Sequence, residues 1–449
     1  MNVLDRLETT LRVSGGVLLS GSIETHGAKN AALPIMAAAL LAKTPVTLHR
    51  VPRITDVSVM WQLLEALGAR VRSEGKNTIT IDASDISTYR APYALVRKLN
   101  ASFDLVGPLL GRFGRAEVPL PGGCMLGTRA TDMHEQAFRA LGAEVSNAHG
   151  YLIAKKKRAS LTGGEVDFRQ PSVGATKNAM LAAVLAKGTT TLRNVAMEPE
   201  VVDLANFLNA MGAKIAGHGT DTIVIDGVRE LRGVEYEVIP DRIVTGTLLL
   251  SGCATRGDVT VRRCCPQHLE ALMLKLTECG ARITTGSDWI RVQASGLTGG
   301  TDVLTAPHPG FPTDLQPPML SFLCTVPGTS VVEETIFNAR FSYVNELTRM
   351  GADIRVAMEN NTALIKGGSP LSGAPVEAPD IRAGAALVVA GLAAQGDTEI
   401  IGLEYVDRGY ERLEELLSAL GGKVQRASGV TASPEPLGTY ETTAYPKVV

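Results

Sequence analysis

The stretch that decides the fold runs from Leu392 to Val424, "LAAQGDTEIIGLEYVDRGYERLEELLSALGGKV". Small residues suited to a buried helix come first, followed by a Gly-centred turn and a short run with the β-branched residues that strands favour. A polar loop then leads into an amphipathic helix, with Leu413, Leu416, Leu417 and Leu420 on one face and acids on the other. Gly421 fits the left-handed cap that ends a helix, and a strand starts directly after it.

The same unit recurs along the chain. It reads "LLAKTPVTLHRVPRITDVSVMWQLLEALGARV" from Leu40, "VLAKGTTTLRNVAMEPEVVDLANFLNAMGAKI" from Val184 and "GCATRGDVTVRRCCPQHLEALMLKLTECGARI" from Gly252. Two further copies start at Leu109 and Cys324. The turn glycines are Gly68, Gly142, Gly212, Gly280, Gly351 and Gly421, about 70 residues apart, a spacing longer than that of solenoid repeats. The expected fold is therefore α/β, built from compact βα units. At 449 residues the chain is too long for one ordinary core, so six units divide into two domains of three.

Composition narrows the function. Hydrophobic residues make up 45% and charged residues 20%, as in a globular protein in water, and the net charge of -2 offers no attraction to nucleic acid or an anionic membrane. No apolar run is long enough to span a bilayer, and the start "MNVLDRLETTLRV" lacks the order of a signal peptide. Six cysteines without a CxxC pair suit a reducing compartment, so a cytoplasmic location is expected.

The loops between strand and helix differ most between copies, and such loops on a repeated scaffold usually carry function. One holds Cys124 and Arg129 in "VPLPGGCMLGTRATD", another Arg340, a third Asp407 and Arg408. In "ETHGAKNAALP", Gly27, Lys29 and Asn30 stand just before a small-residue helix. In "QPSVGAT", Ser172, Gly174 and Thr176 do the same, and free N–H groups at such a start can hold a phosphate. Asp314 lies in the proline-stiffened "TAPHPGFPTDLQPP", where a fixed carboxylate is a candidate general base and a turn-capping Asp the plainer reading. There is no Walker loop, dinucleotide fingerprint, HExxH or serine elbow, and His268 and His308 lack partners at metal-ligand spacing.

In order along the chain stand "GAKNAALP", "PGGCMLGTR", "SVGAT", "EPEVVDLANFL", "PDRIVTGT", "APHPGFPTD" and "DRGYERLEELL". In these motifs the sequence resembles the enolpyruvyl transferase family. The resemblance implies a two-domain inside-out α/β barrel with three βα repeats per domain. One domain would comprise residues 1–28 plus 240–449, the other 29–239. It also implies transfer of the enolpyruvyl group of phosphoenolpyruvate to a uridine nucleotide, the 3-OH of UDP-N-acetylglucosamine in peptidoglycan precursor synthesis, with no metal or organic cofactor and no obligate protein partner.

By matching position, Lys29, Arg129 and Arg408 would grip phosphoenolpyruvate, as suits cations facing a trianion. Cys124 would be the loop cysteine that fosfomycin alkylates, acting as general acid or aiding product release, on a lid that brings its thiol to the substrate. Asp314 would face the acceptor hydroxyl as base, with Asn30 and Arg340 on the sugar side. Ser172, Val173 and Gly174 would meet the nucleotide phosphates, and Asp132 the uracil. The shikimate-pathway relative shares fold and donor but is not expected to carry "PGGC" or "SVGAT" in this form.

Four positions depart from the family pattern. Asn100 replaces an Arg, Asp104 an apolar or aromatic residue, Ala130 a Pro and Val244 a Glu. Two readings fit: compensated drift of one ion pair, or a changed acceptor such as UMP in peptidyl nucleoside antibiotic biosynthesis. An inactive substrate-binding relative would be expected to have lost some of Lys29, Cys124, Arg129, Asp314 and Arg408, and all five are present.

Overall fold

The computed structural model describes residues 8–120 and 131–429. Within them each of the six units forms a strand, a helix and a second strand. In the first unit these are Val46–His49, Thr55–Leu67 and Arg70–Ser73; in the last, Asp397–Ile401, Leu413–Ala419 and Lys423–Gly429. All six predicted turn glycines have positive φ, from 83° at Gly142 to 108° at Gly68, so the glycine requirement is met at every cap.

Five sheets have four strands and the sixth has three. In each, a strand sits antiparallel between the two strands of the unit. In the four-stranded sheets a parallel edge strand flanks the first of them; in the three-stranded sheet only an isolated parallel bridge, Arg90 to Glu117, holds that place. Three of these accessory strands come from afar. Glu8–Ser14 fills the middle of the last sheet, Ser20–Glu24 edges the strand Asp258–Arg262, and Glu235–Glu237 edges Val46–His49. The chain thus crosses once after Glu24 and returns after Glu237, the two passages bridging at Gly27 and Pro240.

A small-residue helix precedes each unit: α1 (Lys29–Ala38), α2 (Val106–Phe113), α3 (Val173–Ala183), α4 (Arg242–Ala254), α5 (Gln316–Thr325) and α6 (Ile381–Ala393). They are apolar on nearly all sides and buried, as expected of central helices. Their small side chains let backbones approach: a Cβ on Gly107 of α2 would lie 2.7 Å from the Asn178 carbonyl oxygen of α3. Two hydrophobic cores result. One runs from Ala28 to Val238; the other joins Leu11 to Leu19 with Ile243 to Val424.

Candidate functional site

The helices α4, α5 and α6 begin near one another, and each start is marked by an aspartate. The Asp241 side chain accepts from the N–H groups of Ile243 and Val244 at 2.9 and 3.0 Å, and Asp380 accepts from those of Arg382 and Ala383 at 2.8 and 3.0 Å. Both are N-caps, which satisfy otherwise unpaired donors. Asp314 sits in the single 3₁₀ turn Thr313–Leu315 that opens α5, so Pro317 and Pro318 fall in the first turn of the helix rather than in the loop.

Asp314 is gripped from two sides. Arg340 donates to one carboxylate oxygen at 3.0 Å and Arg382 to the other at 2.8 Å, both arginines being buried. Burial alone would raise the Asp314 pKa, but Arg382 and Arg340 outweigh it and hold the carboxyl well below the usual range. The group is therefore ionised throughout the physiological range. Asn30, the second residue of α1, donates to Asp314 at 3.4 Å and ties the two cores together at this point.

Lys29 opens α1 beside this group. Its backbone N–H donates to Asp241 at 2.9 Å, and its ammonium lies 2.7 Å from Asp56. The other oxygen of Asp56 accepts from Arg408 Nε at 2.8 Å, so one buried carboxylate couples two cations from different cores. Burial pushes the Lys29 pKa down, Asp56 opposes that, and the charges of Arg382 and Arg408 add to the lowering. Lys29 also helps lower Asp314, which makes the ensemble one electrostatic unit.

Lys29, Arg340, Arg382 and Arg408 thus converge on Asp56 and Asp314, with Asp241 bound to the backbone between them. The surplus of cations, next to helix N-termini, suits a small polyanion. Two surface cavities lie apart from it. One of about 250 Å³ touches Arg256 and Leu371; one of about 440 Å³ touches His26, Arg50 and Arg263. Neither is lined by Lys29, Asp314 or Arg408.

Five of the sequence-nominated residues, Lys29, Asn30, Asp314, Arg340 and Arg408, are brought together. Cys124 and Arg129, and the departing position Ala130, lie outside the described residues. Ser172 is the N-cap of α3, its hydroxyl accepting from the Ala175 N–H at 3.3 Å. Val173, Gly174 and Thr176 lie inside the helix rather than before it, and Lys29 likewise belongs to α1. Gly174 allows a close approach, since a Cβ there would stand 3.2 Å from the His134 ring. Asp132 opens the helix Asp132–Ala140 and pairs with Arg169. No described contact joins it to the charged cluster. Asp407 pairs with Arg426 instead of facing the cluster.

Two of the departures are absorbed. Asp104 pairs with Lys177 at 2.9 Å, and Val244 is fully buried in α4. Among the described residues, no group of three or more His, Cys, Asp or Glu is placed to hold a metal ion.

Sequence reading missed Asp56, Arg382 and Lys177. Asp56 looks like any acid in the first turn of a helix. A signal for Arg382 did exist: "APDIRAGAA" from Ala378 echoes "IPDRIVTGT" from Ile239, an Asp cap followed by an arginine at the start of a buried helix.

Known proteins match this chain over most of its length. The family model for EPSP synthase (3-phosphoshikimate 1-carboxyvinyltransferase) covers residues 13–417. A UDP-N-acetylglucosamine 1-carboxyvinyltransferase of Psychrobacter sp. is 48% identical over 94% of this chain and 98% of that protein. One from Carboxydothermus hydrogenoformans is 50% identical over 93% and 99%. Among solved structures, the enolpyruvyl transferase NikO from Streptomyces tendae superposes with a TM-score of 0.83 at 27% identity, covering 94% of this chain and 99% of that one. EPSP synthase from Acinetobacter baumannii, at 18% identity, shares the fold, with a TM-score of 0.73 over 94% of this chain and 100% of that one.

Proposed function

The chain belongs to the enolpyruvyl transferase family, and from that premise we propose that it transfers the enolpyruvyl group of phosphoenolpyruvate to the 3-OH of UDP-N-acetylglucosamine, releasing phosphate. The observation that carries this reading is the pairing of Lys29 and Arg408 through Asp56 beside the doubly clamped Asp314. Relatives bearing that enzyme's name at 47–50% identity favour this acceptor. Cells would use the product for peptidoglycan, in the cytoplasm; no helix among the described residues is long and apolar enough to cross a membrane.

In this reading Lys29, Arg408 and, from the resemblance, Arg129 hold the phosphate and carboxylate of the donor. The acceptor oxygen attacks C2 of the enol while its proton passes to Asp314 and another proton reaches C3, giving a tetrahedral phospholactoyl adduct. Loss of a C3 proton and cleavage of the bond between C2 and the phosphate oxygen then restore the double bond and expel phosphate. Because the arginines depress its basicity, Asp314 takes the proton only as the new C–O bond forms. Fixed charges stabilise the developing charge without reorganising at the moment of reaction. Cys124 supplies the C3 proton or assists release, and fosfomycin should alkylate it. We take residues 1–28 plus 240–449 and residues 29–239 as the two domains, each an inside-out α/β barrel, a reading the two separate cores support except at Ala28, which packs in the core of the second. Ser172, Val173, Gly174 and Asp132 receive the nucleotide.

A second acceptor, UMP, is favoured by one observation: the residues at Asn100 and Val244 are neutral where the family pattern is charged. Phosphate release from phosphoenolpyruvate, assayed with UDP-N-acetylglucosamine and separately with UMP, decides between them. Turnover with UMP alone overturns the acceptor assignment; turnover with neither overturns the function.

A further inference from the structure

The charged departure at Asp104 is answered by a second charge 73 positions away. Lys177 Nζ lies 2.9 Å from Asp104, and both residues are less than a tenth exposed. Lys177 is on α3, one turn past the Ser172–Gly174 start. Asp104 is in the 3₁₀ segment Asn100–Leu105, which runs straight into α2. The neighbouring residue Asn178 uses its amide fully across the same seam. It donates to the Phe103 carbonyl at 3.1 Å, shares a 3.1 Å contact with His134 Nδ1, and accepts from the Gly107 N–H at 2.8 Å. His134 in turn packs on Gly174 and edge-on to Phe103, ring centroids 5.0 Å apart.

A buried ion pair of this kind adds little net stability, because desolvation cancels most of the attraction, and apolar residues of similar size often replace it without loss. What it does supply is one geometry: each charge is costly unless it meets the other. The pair joins the segment carrying Asn100 to the helix whose first turn is read here as the nucleotide-phosphate turn.

We propose that Asp104 and Lys177 are positioning residues of the acceptor site, fixing the Asn100–Leu105 wall against the start of α3 so that the uridine nucleotide is bound in register with Asp314. This rests on the function proposed above. Neither residue touches Lys29 or Arg408 in the described contacts, so the proposal expects the donor's affinity to be unchanged when the pair is altered.

The test compares wild type, D104N, K177M and the double variant D104L/K177M, measuring thermal stability and separate KM and kcat values for nucleotide and phosphoenolpyruvate. Each single variant leaves a buried charge or donor unmatched and lowers stability. The double variant regains stability, yet its KM for the nucleotide stays raised about ten-fold, with KM for phosphoenolpyruvate and kcat within about two-fold of wild type, the signature of lost acceptor binding alone. K177R keeps the charge pair and restores most of the nucleotide affinity, which covers the case of a poorly folded double variant. Wild-type nucleotide KM in the double variant, or parallel changes for both substrates, overturns the proposal while leaving the function intact. A wild-type enzyme inactive with both nucleotides overturns the function itself.

Discussion

At the scale of single residues, Asp56 decides how the cluster behaves. It is nearly fully buried and holds Lys29 on one oxygen and Arg408 on the other. Replacing it by Asn removes the counter-charge that supports the Lys29 ammonium against burial. In D56N, kcat/KM for phosphoenolpyruvate should fall about a hundred-fold, of the order expected for a broken buried charge contact. The alkaline limb of the pH–rate profile should also move to lower pH, because Lys29 loses its proton more easily; an unmoved limb would show that Lys29 is not the group titrating. Asp314→Asn should reduce kcat about a thousand-fold with little change in KM for the donor, as measured by phosphate release. Lys29, Asp314, Arg340 and Arg408 were legible because each sits in a loop or helix start of unusual composition. Asp56 was not, because a first-turn acid has a local pattern no different from ordinary capping, and the mark of Arg382 shows only when the two distant helix starts at Asp241 and Asp380 are compared.

At the scale of elements, the units were readable because Gly, small residues and leucine periodicity are local signals. The accessory strands were not. Glu8–Ser14, Ser20–Glu24 and Glu235–Glu237 find partners at least 188 positions away, the separation of Glu235 from Thr47, and no short-range pattern encodes such pairing. The helix starts carry the chemistry, which makes their caps consequential. Asp380→Ala leaves two N–H donors of α6 unpaired and loosens Arg382; it should lower stability by about 1 kcal/mol in denaturant unfolding. Activity should fall further than that loss explains, since Arg382 holds Asp314. Where α2 meets α3, Gly107→Ala would drive a methyl into backbone and Leu181, and should cost about 1–3 kcal/mol. A neutral outcome in the same unfolding assay would mean the helices can separate.

At the scale of the whole molecule, buried and half-buried charges connect the two cores. Arg242 of α4 donates to both oxygens of Glu200 at 2.9 and 3.2 Å, and Arg53 meets Glu411 at 2.9 Å. Glu200→Gln should destabilise by about 3–5 kcal/mol, the cost of stranding a buried arginine, read as a drop in the unfolding midpoint. Acid sensitivity has a separate source. Burial pushes His134 and His268 down to about 4. At these two histidines the unfolded chain therefore binds more protons than the native one between about pH 6.5 and 4, and the stability they contribute above that window is lost as pH falls through it, partly offset by Asp203, which burial raises to about 6. The melting temperature should decline across this range, less steeply in H268Q, and a flat profile would refute the account. The strand Glu8–Ser14 has a consequence for biosynthesis. Arg12 and Asp397, which meet in the finished sheet, are 385 positions apart, so the strand Glu8–Ser14 waits for partners made far later in translation. The core from Ala28 to Val238 is continuous in sequence and can close during translation, while Glu8–Ser14 stays an unpaired, association-prone strand until Asp397–Ile401 and Lys423–Gly429 have been made.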